Sequence, residues 1–209
     1  MVTQILIDVK RTRLVFSQEI LALGLLLLLL SGCTILGGSE NEGEGYVGAV
    51  DDALFIGIAV EDEAGAGGDR RLVAYLCDGE EVSQWFVAEG VEQEMTLAAG
   101  DNRLELAFGD SGVSGTVALA GREPQPFAAA PATGDAGLYR AEEGFDGVDH
   151  VGGWIVLPDG RQQGAVNAGG SIVESPRLDL ETGEATTGAG TFQASPLWGG
   201  GGGSGKPSF

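Results

Sequence analysis

Apolar and polar residues alternate along most of the chain from Tyr46 onward. In the segment 54–60, large aliphatic side chains occupy every second position, at Leu54, Ile56, Ile58 and Val60. The segments 103–108 and 113–119 alternate in the same way, with apolar residues at 104, 106 and 108 and at 113, 117 and 119. Because successive side chains of a strand point to opposite faces, all three segments are predicted strands, and the last two are expected to bury one face.

Turn sequences separate these runs at short intervals. Aspartate-glycine pairs at 78–79 and 159–160 each join an apolar run to a more polar one, and glycine after aspartate accepts the positive φ that a tight hairpin needs. A third reversal is predicted at 181–184, between LDL and ATTGAG. Turns spaced by about 8 to 12 residues, without a convincing helical stretch, predict an all-β domain in which an antiparallel meander forms a barrel or a sandwich.

Two segments leave alternatives open. Residues 85–99 could line one helical face, although Gly90 and the preceding hairpin favour strands. Residues 123–131 hold three prolines, at 124, 126 and 131. Since proline cannot donate to a sheet ladder, this segment is expected to cross an edge or a corner of the sheet.

The first 32 residues have the organisation of a secretory signal peptide. Three basic residues, Lys10, Arg11 and Arg13, precede an uncharged stretch from Ile20 to Leu30 that ends in six leucines. At about 11 residues, this stretch is shorter than the roughly 20 residues of a membrane-spanning helix. A removable signal is therefore favoured over a permanent transmembrane anchor.

The sequence Leu30-Ser31-Gly32-Cys33 follows directly and resembles the lipobox of bacterial lipoproteins. The resemblance implies cleavage between Gly32 and Cys33, a lipid thioether on Cys33, and attachment to the cell membrane or the outer membrane on the side away from the cytoplasm. Two or three acyl chains on one residue give durable attachment. The absence of aspartate after Cys33 resembles the family's outer-membrane sorting class. The alternative is a chance cysteine after an ordinary signal peptide.

The sequence thus divides into four segments. They are a signal peptide (1–32), a flexible tether (33–45), an all-β domain (46–195) and a glycine-rich flexible tail (196–209). Within the domain, the pieces at 74–79, 137–142 and 153–166 resemble a domain that recurs in bacterial envelope proteins and has no known activity. That resemblance implies an extracytoplasmic β domain and nothing catalytic.

The charge of the chain argues against a nucleic-acid partner. Eleven lysines and arginines stand against 31 acidic residues, which gives a formal net charge of −20. A field of this sign repels phosphate backbones and anionic headgroups. The acidity is interpreted as a device for solubility rather than as a cation-collecting surface.

Candidate chemistry is sparse, and no cofactor or metal site is predicted. His150 is the single histidine and could act as an acid or base beside Glu142, Glu143, Asp146 and Asp149, but a solvated loop histidine is the favoured interpretation. The acidic clusters at 51–52, 61–63 and 142–149 lack the spacing of a calcium loop and are expected to be solvated. Ser114 lacks the second glycine of a nucleophile elbow.

Cysteine and aromatic residues supply the remaining candidates. Cys77 has no partner once Cys33 is acylated, and its acidic neighbours raise the pKa of the thiol, so it is expected to be a half-buried strand residue beside Val73 and Tyr75. Four aromatic residues could line a ligand-binding mouth, although core packing is the commoner use: Tyr75, Trp85, Tyr139 and Trp154.

Two functions follow as hypotheses. The first is a non-catalytic binding or structural module of the envelope, held on the membrane through the lipid on Cys33 and recognising a small molecule, a glycan or a protein. The alternative is a hydrolase acting on envelope material through His150 and nearby carboxylates. A concave site that brings His150 within hydrogen-bond reach of a carboxylate and a hydroxyl would favour the enzyme.

Overall fold

The computed structural model describes residues 44–62 and 70–198, and all regular structure within them is β. The strands are β1 (Glu44–Ala49), β2 (Phe55–Asp62), β3 (Arg70–Cys77), β4 (Ser83–Glu89), β5 (Glu94–Ala99), β6 (Asn102–Gly109), β7 (Gly112–Ala118), β8 (Gln125–Pro131), β9 (Gly137–Phe145), β10 (Val148–Val156), β11 (Gln162–Ala168), β12 (Ser171–Glu174), β13 (Glu184–Thr186), β14 (Thr191–Gln193) and β15 (Ser195–Pro196). The predicted all-β class is confirmed.

The first eight strands form one antiparallel sheet that curls into a nearly closed barrel. Its strand order is β4-β3-β2-β1-β8-β7-β6-β5, so two four-strand meanders meet where β1 pairs with β8. The end strands β4 and β5 are consecutive in the chain and contact each other. The sheet therefore leaves little free edge for pairing with other chains.

The inside of this barrel-like sheet is the main hydrophobic core. Ile56, Ile58 and Val60 of β2 point inward and have no exposed surface, as the alternation predicts. On β6, Leu104 and Leu106 are buried in the same core while Glu105 between them is exposed. This strand has one buried face, as predicted.

A second antiparallel sheet covers the outside of β1, β2 and β3. It has the order β12-β11-β10-β9-β15. Leu138 of β9 and Ile155 of β10 pack with Phe55 and Ala59, the residues of β2 that point away from the barrel core. Since β2 is buried on both faces, its sequence is almost continuously apolar.

The hairpin of β13 and β14 forms a third layer on the far side of the second sheet. Trp154 of β10 lies in the core between them together with Phe192 of β14 and Leu178, and all three are buried. The Nε1–H of Trp154 donates a hydrogen bond of 2.9 Å to the carbonyl of Pro176. The middle sheet is consequently packed on both faces.

The structure confirms the two predicted Asp-Gly turns and changes the strand pairing at the third. Gly79 (φ +77°) and Gly160 (φ +81°) adopt the positive φ expected of the Asp-Gly hairpins between β3 and β4 and between β10 and β11. The turn at 181–184 is present, but β13 pairs with β14, and the LDL segment contributes a single bridge between Asp179 and Glu184. The ambiguous segment 85–99 forms strands in β4 and β5 rather than a helix.

The proline-containing segment is strand β8, at the junction of the two meanders. Residues 125–129 pair with β7, and residues 130–131 pair with β1. Pro126 therefore lies where β8 pairs on one side only. The proline nitrogen carries no hydrogen to donate, and at this position no hydrogen bond to a second neighbouring strand is required of it.

The folded domain extends slightly beyond residues 46–195. Strand β1 begins at Glu44, Leu197 is buried at 4% exposure, and Trp198 packs against the same cluster. A Cβ added to Gly45 would lie 2.3 Å from the Trp198 ring. Residues 44–45, predicted to belong to a flexible tether, and residues 196–198, predicted to belong to a flexible tail, are thus part of the domain. The first and last described residues of the domain lie together.

Candidate functional site

The predicted lipid site lies outside the described residues. Cys33 and the other lipobox residues belong to the segment 1–43, and the glycine-rich segment 199–209 is likewise not described. The signal peptide, the tether as far as residue 43 and the lipid attachment at Cys33 accordingly remain predictions from sequence.

Polar and aromatic side chains meet between the barrel-like sheet and the second sheet. We call this set the interlayer cluster: Tyr75, Ser83, Trp85, Arg140, Glu142 and Asn167. Tyr75 and Trp85 are cross-strand partners on β3 and β4, so both point out of the barrel on the same face. Their rings stack with centroids 4.1 Å apart and an interplanar angle of 25°.

Hydrogen bonds join the two sheets at this cluster. The Tyr75 hydroxyl lies 2.8 Å from Ser83 Oγ. The Nδ2–H of Asn167, on β11, donates to the same oxygen. Burial raises the pKa of Tyr75 well above its ordinary value, so its hydroxyl stays protonated. A neutral phenol, a hydroxyl and an amide therefore form a small network that fixes one sheet against the other.

Arg140 is the feature of this cluster that the sequence analysis missed. Its side chain is buried, its guanidinium carbon lies 4.8 Å from the centroid of the Trp85 ring, and it forms an ion pair with Glu142. The available signal was its position: Arg140 follows Leu138 by two residues and shares its inward face on β9. An arginine at such a position implies a specific partner, here the Trp85 ring and the Glu142 carboxylate.

The four aromatic candidates do not form a common mouth. Tyr75 and Trp85 lie in the interlayer cluster, whereas Trp154 and Tyr139 belong to the core between the second sheet and the β13–β14 hairpin. Trp85 stacks on Tyr75 and also lies under Arg140, so its ring serves packing instead of presenting a face to a sugar. The core-packing interpretation holds for Tyr75 and Trp154, which have no exposed surface.

His150 is not a solvated loop histidine, and that interpretation was wrong. It lies on strand β10 and is 8% exposed, because Phe145 and Phe192 cover its ring at centroid distances of 5.5 and 6.2 Å. Its Nδ1 lies 3.0 Å from the carbonyl oxygen of Val148. Within residues 44–62 and 70–198, no carboxylate or hydroxyl is hydrogen-bonded to this ring, so the geometry required for an acid or base pair is not formed.

Cys77 is more deeply buried than expected. It has no exposed surface, and it shares the outward face of β3 with Val73 and Tyr75, as predicted. Burial raises the pKa of the thiol to about 11, with a smaller contribution from the negative charge of Asp78. The thiolate, which is the reactive form, is therefore scarce at neutral pH.

Acidic side chains at one end of the barrel stabilise turns. Asp78 Oδ1 accepts hydrogen bonds from the N–H groups of residues 80, 81 and 82, and its Oδ2 lies 3.2 Å from the guanidinium of Arg122. Asp51 Oδ1 accepts from the N–H groups of residues 53 and 54. No group of three or more potential metal ligands occurs among the described residues.

Neither a membrane-spanning helix nor a similar protein indicates the function. The part of the chain that the structure describes contains no helix with the length and hydropathy of a membrane span. In comparisons with protein-family models, with curated proteins and with solved structures, the chain has no significant match.

Proposed function

We propose that the chain is a lipid-anchored lipoprotein of the bacterial envelope whose β domain is a non-catalytic binding or structural module. The observation that carries the proposal is Leu30-Ser31-Gly32-Cys33, placed directly after a short leucine run. Small residues before the cysteine suit the narrow site of a signal peptidase. The cysteine thiol, as thiolate, is a strong nucleophile that can take a lipid as a thioether.

The position of the folded domain is compatible with this anchor. Residues 34–43 separate Cys33 from the first strand, and ten residues span at most about 35 Å when fully extended. The first and last described residues of the domain lie side by side at Gly45 and Trp198. In this proposal, residues 34–43 link the lipid on Cys33 to a domain that binds a small molecule, a glycan or a protein.

The packing of the reactive side chains supports a module rather than an enzyme. His150 is enclosed by phenylalanine rings, Cys77 is a buried thiol, and Trp85 is held between sheets. Each of these residues stabilises the layered fold. The same packing makes a glycan stacked on Trp85 the least supported of the three ligand classes.

Acylation is tested in bacteria that express the full chain and are fed an alkyne analogue of palmitate. Wild type and Cys77→Ala should be labelled and should sediment with membranes, whereas Cys33→Ser should be neither. Cys77→Ala is the matched control because the sequence has only these two cysteines. An unlabelled wild type, or a labelled Cys33→Ser variant, would overturn the anchor.

The module is tested separately with the anchored full chain. Chemical cross-linking in cells, followed by purification and mass spectrometry, should return a specific ligand or partner that is also retained by His150→Ala. A turnover of envelope material that His150→Ala abolishes at unchanged melting temperature would instead support the hydrolase. This outcome would refute the binding module while leaving the anchor intact.

A further inference from the structure

Three aspartate-glycine pairs lie in turns of the described residues: Asp78-Gly79, Asp146-Gly147 and Asp159-Gly160. In such a pair, the glycine amide nitrogen can attack the side-chain carboxyl carbon of the aspartate. The new N–Cγ bond closes a cyclic imide as one water is lost. Water then adds back to either carbonyl, and addition at the main-chain carbonyl leaves the chain running through the side chain as isoaspartate.

The first pair is protected at both reacting groups. The carboxylate of Asp78 accepts three backbone hydrogen bonds and pairs with Arg122, which fixes its orientation and keeps it ionised. The N–H of Gly79 donates to Cys77 Sγ at 3.3 Å. A carboxylate and an amide that are each engaged in hydrogen bonds are less free to turn toward one another.

The third pair is protected in the same way. Asp159 accepts hydrogen bonds from the backbone N–H and the Nε–H of Arg161, at 3.0 and 2.8 Å. The N–H of Gly160 donates to the carbonyl of Leu157 at 2.9 Å. The Asp159 carboxylate and the Gly160 N–H, which would have to react with each other, are therefore both held in hydrogen bonds within the turn.

The second pair differs at every one of these points. Asp146 and Gly147 form the exposed two-residue connection between β9 and β10, in which Phe145 pairs with Val148. Within the described residues, neither the Asp146 carboxylate nor the Gly147 N–H has a hydrogen-bond partner. Asp146 is also the one described non-glycine residue with a positive φ, +51°.

From this comparison we infer that Asp146-Gly147 is a site of spontaneous isoaspartate formation, and that the other two pairs are shielded by their turns. The inserted methylene group lengthens the backbone of a two-residue hairpin, which cannot absorb it without changing register. Phe145, next to the turn, packs against His150 and Phe192, so the change would loosen the packing at the core between the second sheet and the β13–β14 hairpin.

The experiment ages the purified full chain at neutral pH and 37 °C in water enriched in heavy oxygen. Each passage through the imide incorporates one heavy oxygen atom. Trypsin releases the peptide 141–161, which contains both Asp146 and Asp159, so electron-transfer fragmentation compares the two sites within one molecule. An isoaspartyl methyltransferase with labelled S-adenosylmethionine measures the isomerised product independently.

Incorporation and methylation at Asp146 should exceed those at Asp159 and Asp78 several-fold. Asp146→Glu should abolish the methylation, because the larger ring closes far more slowly, and Asp159→Glu should leave it unchanged. Equal incorporation at the three pairs, a higher value at Asp78 or Asp159, or none at Asp146 overturns the inference. The wild-type peptide comparison stands even if a variant fails to fold.

Discussion

Replacement of Gly164 by alanine tests the close packing of the middle sheet on Trp154. Gly164 on β11 is the cross-strand partner of Trp154 on β10. A Cβ atom at this position would lie 2.1 Å from Cδ1 and 2.6 Å from Nε1 of the indole. Trp154 has no exposed surface, so the ring cannot swing into solvent to make room.

The cost has two parts. Overpacking by a methyl group in a close-packed interior costs about 1–3 kcal/mol. Displacement of the indole also weakens the 2.9 Å bond from Nε1–H to the Pro176 carbonyl, and a buried polar group left without its bond costs about 1–3 kcal/mol. A shift of the indole ring relieves the overpacking but weakens the hydrogen bond, so the two costs do not add in full. We therefore expect a combined loss of about 2–4 kcal/mol in the free energy of unfolding.

Urea unfolding of Gly164→Ala, followed by tryptophan fluorescence and near-ultraviolet circular dichroism, measures the loss. Gly144→Ala is the matched control, because Gly144 lies on the neighbouring strand β9 and no atom lies within 4 Å of its Cβ position. The control should unfold at or above the wild-type midpoint. If Gly164→Ala is as stable as Gly144→Ala, Trp154 does not lie on Gly164, and the packing described between the second sheet and the β13–β14 hairpin is wrong.

Three further predictions concern the acidic turn and the buried reactive groups. Burial opposes ionisation of Asp78, but four hydrogen bonds outweigh it and hold the pKa of the carboxyl below its ordinary 3.8. The ionised carboxylate therefore stabilises the folded protein above pH 3.8, and this contribution is lost as the pH falls through the pKa of Asp78 in the folded state. The stability gap between wild type and Asp78→Asn, about 1 kcal/mol at pH 7, should therefore narrow in titrations below pH 3.8. Phe192→Ala should destabilise the domain by about 3–5 kcal/mol and accelerate modification of His150 by diethyl pyrocarbonate; an unchanged rate would contradict the aromatic cover. In Cys33→Ser, Cys77 should react with a disulfide reagent at pH 8 only after unfolding, since burial raises its pKa to about 11; a fast reaction of the native protein would refute the burial.

The strands could be predicted from the sequence because they depend mainly on residues that are neighbours along the chain. The alternation at Ile56 and Ile58, and the positive φ of Gly79 and Gly160, follow from backbone geometry that neighbouring residues determine. The pairing of β1 with β8 joins residues far apart in sequence, and the alternation of apolar and polar residues does not identify the partner strand. This is why barrel and sandwich could not be separated from the sequence.

The second sheet explains the errors at single residues. The sequence favours a solvated loop for His150 because no nucleophile motif accompanies it, yet the residue shares a face of β10 with Trp154. Its ring is covered by Phe192, on a strand more than forty residues later. Arg140 was overlooked for the same reason, since its partner Trp85 lies on another sheet. Both side chains are defined by contacts between layers, which alternation along one strand cannot reveal.

The glycine content acquires a structural meaning from these layers. Each of the three tryptophans lies against glycine positions where a Cβ atom would approach the ring to less than 3 Å: Trp85 at Gly153, Trp154 at Gly152 and Gly164, and Trp198 at Gly45 and Gly137. Each of these large flat rings lies over a backbone position that has no side chain, which leaves room for it in the close-packed interior. Glycine in this domain therefore serves packing as well as turns, and the strand glycines under tryptophan should tolerate substitution less well than Gly144, which meets nothing.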